Sequence, residues 1–195
     1  MIKARSQDKV LVTAMLAQCF DDNKSVNYII PQGRHRTKKI LRLMEYSFDY
    51  CRLFGEVYLS DDKQGCALIV YPGKAKTTFR SARLDLRLIF QCVGLSNLRK
   101  VLQREAAIKK LHPREAFCYL WFIGVSPTAQ RKGIGGTLLR ELLNQCDQDG
   151  LPVYLETSVD RNVPWYEQSG FTVYDKLDLG YTLYCMKRGA RLYAD

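Results

Sequence analysis

Apolar residues recur at helical spacing in some parts of the chain and gather into short runs in others. After candidate caps at Ser6 and Asp8, Val10, Leu11, Ala14, Met15 and Ala17 follow at three- and four-residue steps, which predicts a first helix. The stretch "NKSVNYIIPQGRH" supplies turn residues. A second helix is expected from Thr37 to Phe54, with Ile40, Leu41, Met44, Phe48 and Cys51 on one face. "EVYLS" and "CALIVYP" flank the polar, glycine-ended "DDKQG" and predict a hairpin. From Thr77 to Leu111 the pattern is that of two amphipathic helices broken near Gly94, with basic residues between the Leu and Ile positions as a solvated face. After the breaker "HPRE", the run "AFCYLWFIGV" is apolar at nearly every position, so a central strand covered on both sides is expected. A loop then leads to a helix with Ile134, Leu138, Leu139, Leu142 and Leu143 facing the core. "DQDGLP" reads as a turn and "VYLETS" as a strand. "NVPWYEQSG" predicts a short helix ended by Gly170, and "FTVYDKL" and "YTLYCMKR" two closing strands.

The length of 195 residues supports one substantial core, so residues 1–195 are read as a single domain, and a hydrophobic content of 47% excludes a disordered chain. No run approaches the roughly 18 apolar residues of a membrane helix, and "MIKARSQDKV" lacks a signal-peptide core. A soluble, cytoplasmic protein with no membrane partner is expected. The seven cysteines are odd in number and scattered through apolar stretches, which predicts reduced, buried thiols. No CxxC pair occurs and neither His35 nor His112 is spaced as a ligand, so no metal site is expected. A net charge of +10 attracts polyanions of any kind. Without a recognisable nucleic-acid module it does not predict nucleic acid as the partner.

The most informative stretch is "SPTAQRKGIGGTLLRELLNQC", where Gly133, Gly135 and Gly136 stand at the start of a strongly periodic helix. Glycine costs a helix about 1 kcal/mol relative to alanine. A helix N-terminus, however, presents unpaired N–H groups and partial positive charge, and glycines let a phosphate approach the backbone. The nucleotide P-loop pattern GxxxxGK[ST] is absent, and "GIGGTL" lacks the last glycine of GxGxxG. The pattern [Q/R]xxGx[G/A] is met by Gln130, Arg131, Lys132, Gly133, Ile134 and Gly135. In this loop, and in "YLETS", "RNVPWYEQSGF" and "YCMKR" in order after it, the chain resembles the GCN5-related N-acetyltransferases. Its C-terminal half is most similar to their puromycin N-acetyltransferase branch.

The resemblance implies an α/β fold, the GNAT fold, with a mixed, mostly antiparallel sheet flanked by helices on both faces. Its cofactor-binding core covers about 116–188, and 77–111 is a helical insertion on the acceptor side. It implies acetyl-CoA as cosubstrate and direct acetyl transfer to a primary amine. The backbones of Ile123, Gly124 and Val125 would face the pantetheine arm, and Gly124 suits that role because a glycine inside a strand often marks a close approach. Residues Gln130 to Gly136 (Gln130, Arg131, Lys132, Gly133, Ile134, Gly135, Gly136) would hold the pyrophosphate, chiefly through amides. Asn162 matches the asparagine that meets the cofactor arm, or else caps its helix. Tyr166 matches the tyrosine that protonates the departing thiolate, or else is a core tyrosine. Glu156 is the provisional base for the amine, or else an orienting or salt-bridged carboxylate. Tyr119 and Trp121 would line the acceptor pocket unless they are core residues. Direct transfer gives His112 and the cysteines no nucleophilic role. A small-molecule amine is the expected acceptor, since the 77–111 helices crowd that side. A protein lysine or N-terminus, or a non-catalytic basic nucleic-acid-binding or regulatory protein, are the alternatives. The aromatic final strand suits a dimer edge, so a homodimer is one expected state.

Overall fold

The computed structural model describes residues 1–191; residues 192–195, which the single-domain reading takes in, lie outside the described residues. Seven strands form one sheet in the order β1-β2-β3-β4-β5-β7-β6. They are β1 (Ile2–Lys3), β2 (Gly55–Leu59), β3 (Gly65–Val70), β4 (Cys118–Val125), β5 (Val153–Thr157), β6 (Thr172–Asp178) and β7 (Thr182–Arg188). Each neighbouring pair is antiparallel except β4 and β5. The final strand β7 lies inside the sheet and β6 forms the edge, so the aromatic edge expected at the C-terminus is not where the chain offers one.

Helices α1 (Lys9–Cys19), α2 (Lys24–Ile29) and α3 (Arg36–Phe54) cover one face. Helix α3 buries Ile40, Met44, Phe48 and Cys51, as its spacing predicts, but buries Leu43 in place of the expected Leu41, which is half-buried. Helix α1 turns differently: it buries Val12, Met15 and Leu16 while Val10 and Leu11 are exposed. The stretch expected to be a turn holds α2, whose N-cap Asn23 accepts a hydrogen bond from the Val26 N–H at 3.1 Å. On the other face, α6 (Ile134–Gln148) sets Leu138, Leu139, Leu142 and Leu143 against the sheet beside Tyr166 and Phe171. The short α7 (Asn162–Glu167) completes that layer. Between β3 and β4 come α4 (Phe79–Leu88), a π-helical turn at Ile89–Val93, Gly94 with φ +74°, and α5 (Leu95–Leu111).

Two irregularities shape the middle of the sheet. The β3–β4 register steps from Leu68↔Phe122 to Ile69↔Leu120, leaving Trp121 as an extra residue in β4. Trp121 and Phe122 consequently pack on the same face, and alternation changes phase at this bulge. The parallel β4–β5 register holds only Cys118↔Val153 and Tyr119↔Tyr154. Beyond Tyr119, β4 stays with β3 and leaves β5, so the sheet opens along one edge of β4.

Gly124 owes its missing side chain to packing. A Cβ there would lie 3.2 Å from Cys19 Sγ and 3.2 Å from Leu16 Cδ2. Helix α1 therefore sits closer to β4 than an alanine permits. Gly124→Ala should cost about 1 kcal/mol, the scale of mild overpacking. Urea denaturation reads this, and an unchanged midpoint would show that α1 yields freely.

Candidate active site

The opened edge of β4 determines which backbone groups are accessible. The Ser126 N–H bonds Gln64 O at 2.8 Å, and hydrogen-bonded pairs alternate along an antiparallel ladder. Gly124, paired with Cys66, therefore spends its N–H and C=O on β3, while those of Ile123 and Val125 point toward the opening. The expectation for Gly124 is corrected on this point: its backbone faces away from the opening. The Val125 carbonyl is itself taken, by Cys19 Sγ at 3.1 Å and by Gln130 Nε2 at 3.2 Å. The Ile123 N–H and C=O and the Val125 N–H remain as the opening's backbone groups.

The loop after β4 makes a short turn at Pro127–Ala129 and then adopts left-handed conformations at Arg131 (φ +63°) and Gly133 (φ +82°). The first helical bond of α6 runs from the Thr137 N–H to Gly133 O, so the N–H groups of Ile134, Gly135 and Gly136 have no partner within the helix. The three glycines divide their reasons. Gly133 supplies the left-handed turn. A Cβ on Gly135 would meet Val125 at 3.3 Å and Trp165 at 3.8 Å, so this glycine lets α6, β4 and α7 pack closely. A Cβ on Gly136 would meet nothing within 4 Å, and the same is true at Gly133. Open space, bare amides and the exposed Arg131 and Lys132 side chains thus converge at one helix end, a setting for an anion.

On the other side of the opening, Glu156 of β5 is buried, with its side chain only 4% exposed. The Tyr119 hydroxyl donates to its Oε2, and His112 Nε2 stands 3.0 Å from its Oε1. The His112 ring is held among Phe117, Tyr119 and Tyr154 at centroid distances of 5.1, 5.1 and 6.5 Å. Burial, and after it the Glu156 charge, push the Tyr119 phenol well above its usual range, so it remains a donor. Tyr119 thus holds Glu156. Trp121 is the residue that packs edge-on against Tyr46 and Tyr50 of α3. Sequence reasoning passed over His112 as a partner of Glu156. Its one signal was a polar ring between the end of a helix and a proline.

Tyr166 of α7 is buried between Trp165 and Phe171, with ring centroids 4.7 and 5.6 Å away. Burial raises its pKa, so the hydroxyl keeps its proton through neutral pH. Asn162 occupies the first turn of α7 while Arg161 is the N-cap residue, so Asn162 does not cap the helix. The cysteines form no disulfide, and burial pushes up the thiols of Cys51 and Cys66. Among the described residues no cluster of His, Cys, Asp or Glu could hold a metal ion, and no helix is long and apolar enough to cross a membrane.

Near Tyr119, α5, α2 and the β6–β7 turn are tied by a buried guanidinium. Arg104 donates to Ser25 Oγ at 2.5 Å, to Glu105 Oε1 at 2.5 Å and to Tyr181 Oη at 3.4 Å. Tyr28 and Tyr181 meet edge to face at 5.5 Å beside it.

Residues 91–171 match the Acetyltransferase (GNAT) family. An uncharacterized N-acetyltransferase of Schizosaccharomyces pombe is 49% identical over 53 residues, which is 27% of this chain and 22% of the length of that relative. The histone acetyltransferase HPA2 and related acetyltransferase from Corynebacterium glutamicum superposes with a TM-score of 0.69 at 18% identity, over 100% of this chain and 97% of its own. An N-acetyltransferase from Staphylococcus aureus does so with a TM-score of 0.58 at 15% identity, over 95% and 97%. At those identities the likeness concerns the fold. The family match therefore lies within residues 91–171, and the solved structures share the fold of the whole.

Proposed function

We propose that this chain is an acetyl-CoA-dependent N-acetyltransferase that acetylates the primary amine of a small molecule by direct transfer. The observation that carries the reading is the opening between β4 and β5 beside the bare N-terminus of α6. The residues fit the cofactor. The Ile123 backbone and the Val125 N–H would bond the pantetheine amides, the 131–136 loop would hold the pyrophosphate, and Asn162 would meet the arm. Bound there, acetyl-CoA supplies an activated acyl group.

The chain's own groups do the rest. Tyr166, kept neutral by burial, has a proton to give to a departing thiolate. Glu156 takes the proton of the amine, with Tyr119 and His112 fixing its two oxygens. The Arg104 tie joins α5, α2 and the β6–β7 turn, with its charge near Tyr119, which favours a small amine over a polypeptide segment.

Calorimetric titration with acetyl-CoA, and with CoA for comparison, tests the cofactor; one saturable site per chain is expected and no binding at low salt removes the reading. Gly136→Asp places a carboxylate in open space at the anion end. Affinity should fall about tenfold, the scale of one unfavourable charge contact, with the melting temperature kept. Thiol release measured with small amines and with peptides then separates the acceptor classes, and turnover confined to peptides would overturn the small-molecule assignment. Glu156→Gln should lower kcat about tenfold, less than the roughly hundredfold or more of a lone acid–base group because His112 and Tyr119 remain. An unchanged kcat would leave Glu156 with an orienting role only.

A further inference from the structure

The 74–110 segment carries ten basic and two acidic residues, a net +8 within a chain of net +10. Basic side chains on a surface helix need no explanation, but the apolar ones beside them do. Of the eight large hydrophobic residues exposed on the described chain, five lie here: Phe79 (89% exposed), Leu86, Phe90 (69%), Leu95 (70%) and Leu102. They are ordered. On α4, Phe79 and Leu86 are seven residues apart and so share one stripe, which Phe90 extends into the π turn. This stripe lies opposite Ser81, Leu84 and Leu88, which face the protein. On α5, Leu95, Leu98, Leu102 and Ala106 repeat at spacings of three and four and line a shallow groove with Arg99 and Gln103. Val101, Arg104 and Ile108 point inward instead. Each helix thus has a buried face and a second apolar face that no described residue covers. Arg80, Arg83, Arg87, Arg99, Lys109 and Lys110, all exposed, flank those faces.

We infer that the α4–α5 insertion docks on an anionic lipid surface, inserting Phe79, Leu86, Phe90, Leu95 and Leu102 among the acyl chains while the Arg and Lys residues meet the headgroups. Charge selects this occupant. A second copy of the chain would bring +8 against +8 across the same apolar face. A nucleic acid would satisfy the charge but leave the Leu side chains against a polar backbone. An anionic membrane satisfies both, the combination by which amphipathic helices lie in an interface. The sequence pattern read these helices as having only a solvated basic face; the exposed stripes change that reading.

The test is flotation of the full chain with vesicles of phosphatidylcholine alone and of phosphatidylcholine with phosphatidylserine, at low and high salt. Bound protein should be roughly tenfold greater on the anionic vesicles, and the preference should fade as salt screens the headgroups. Two triple variants separate the contributions: Phe79→Ser/Phe90→Ser/Leu95→Ser and Arg80→Glu/Arg83→Glu/Arg99→Glu. All six side chains are exposed, so both variants should keep the wild-type melting curve. Each should lose roughly tenfold in vesicle binding. Equal binding to neutral vesicles, no binding, or undiminished binding by both variants overturns the inference. A dimer in sedimentation equilibrium that the serine variant disperses would assign the face to a second copy. Salt-sensitive binding of RNA or DNA in preference to vesicles would assign it to nucleic acid.

Discussion

Replacing Tyr166 by Phe is expected to lower kcat by about a hundredfold or more, within the range of a lost general acid, while leaving the fold intact. The side chain is buried, and its ring rather than its hydroxyl packs against Trp165 and Phe171. The variant keeps that packing and removes only the proton donor. Burial raises the Tyr166 pKa, so the neutral, competent form persists above pH ~10, where a solvated phenol would have ionised. The deficit should accordingly extend over the whole neutral and mildly alkaline range. Affinity for acetyl-CoA should change little, which places the effect in kcat rather than KM. Rates measured from pH 6 to above ~10 check this, and a variant with full turnover throughout would remove Tyr166 as the acid.

The second large effect concerns stability. Asp147, in the last turn of α6, receives two N–H groups of Arg188 at 2.8 and 2.7 Å and the Arg191 N–H at 2.8 Å. Its side chain is 2% exposed and that of Arg188 is 6% exposed. Removing one member of such a pair commonly costs about 3–5 kcal/mol, because the remaining charge has lost its desolvated partner. Asp147→Asn should fall in that range by urea denaturation. The Arg188 hydrogen bonds, and with them the Arg191 N–H, hold the Asp147 pKa below the usual carboxylate range, against the opposing effect of burial. A depressed carboxylate contributes stability that is fully present above its unfolded-state pKa of about 3.9. That stability disappears as pH falls through the lower folded-state value. The gap between wild type and variant should therefore be constant near neutrality and narrow only in acid below about pH 4. A gap that already narrows near pH 6 would point to a different group.

The parts of this fold that repeat along the chain were legible in the sequence, and those that depend on distant residues were not. The leucine stripe of α6, the inward face of α3 and the hairpin of β2 and β3 follow from local periodicity, and each is present where the spacing places it. The glycine loop marked the start of α6 as a place of close approach, and Gly133 and Gly136 do leave open space there beside the first amides of the helix. The bulge at Trp121 left no trace, because a strand apolar at every position has no alternation in which a change of phase could show. The partner of Glu156 was equally hidden. His112 is 44 residues away and reaches Glu156 only because α5 ends beside β5. Asp147 reads locally as the start of a polar turn, yet it closes a buried ion pair with a residue 41 positions later. Helix α1 shows the opposite error, since its apolar residues fit two faces and packing against β4 chose the one with Leu16.

Arg104 of α5 bonds Ser25, and His112, the residue that follows α5, reaches Glu156, both from a segment that otherwise resembles an attachment between two strands of the sheet. The insertion is therefore no detachable module. A shortened chain with β3 joined directly to β4 would keep the glycine loop and α6, and with them the means to hold an anion. It would lose the imidazole beside Glu156 and the tie to Ser25 and Tyr181. Grafting the insertion onto another sheet would transfer its basic surface, yet the imidazole would act there only if the recipient offered a buried carboxylate at the same height on its fifth strand.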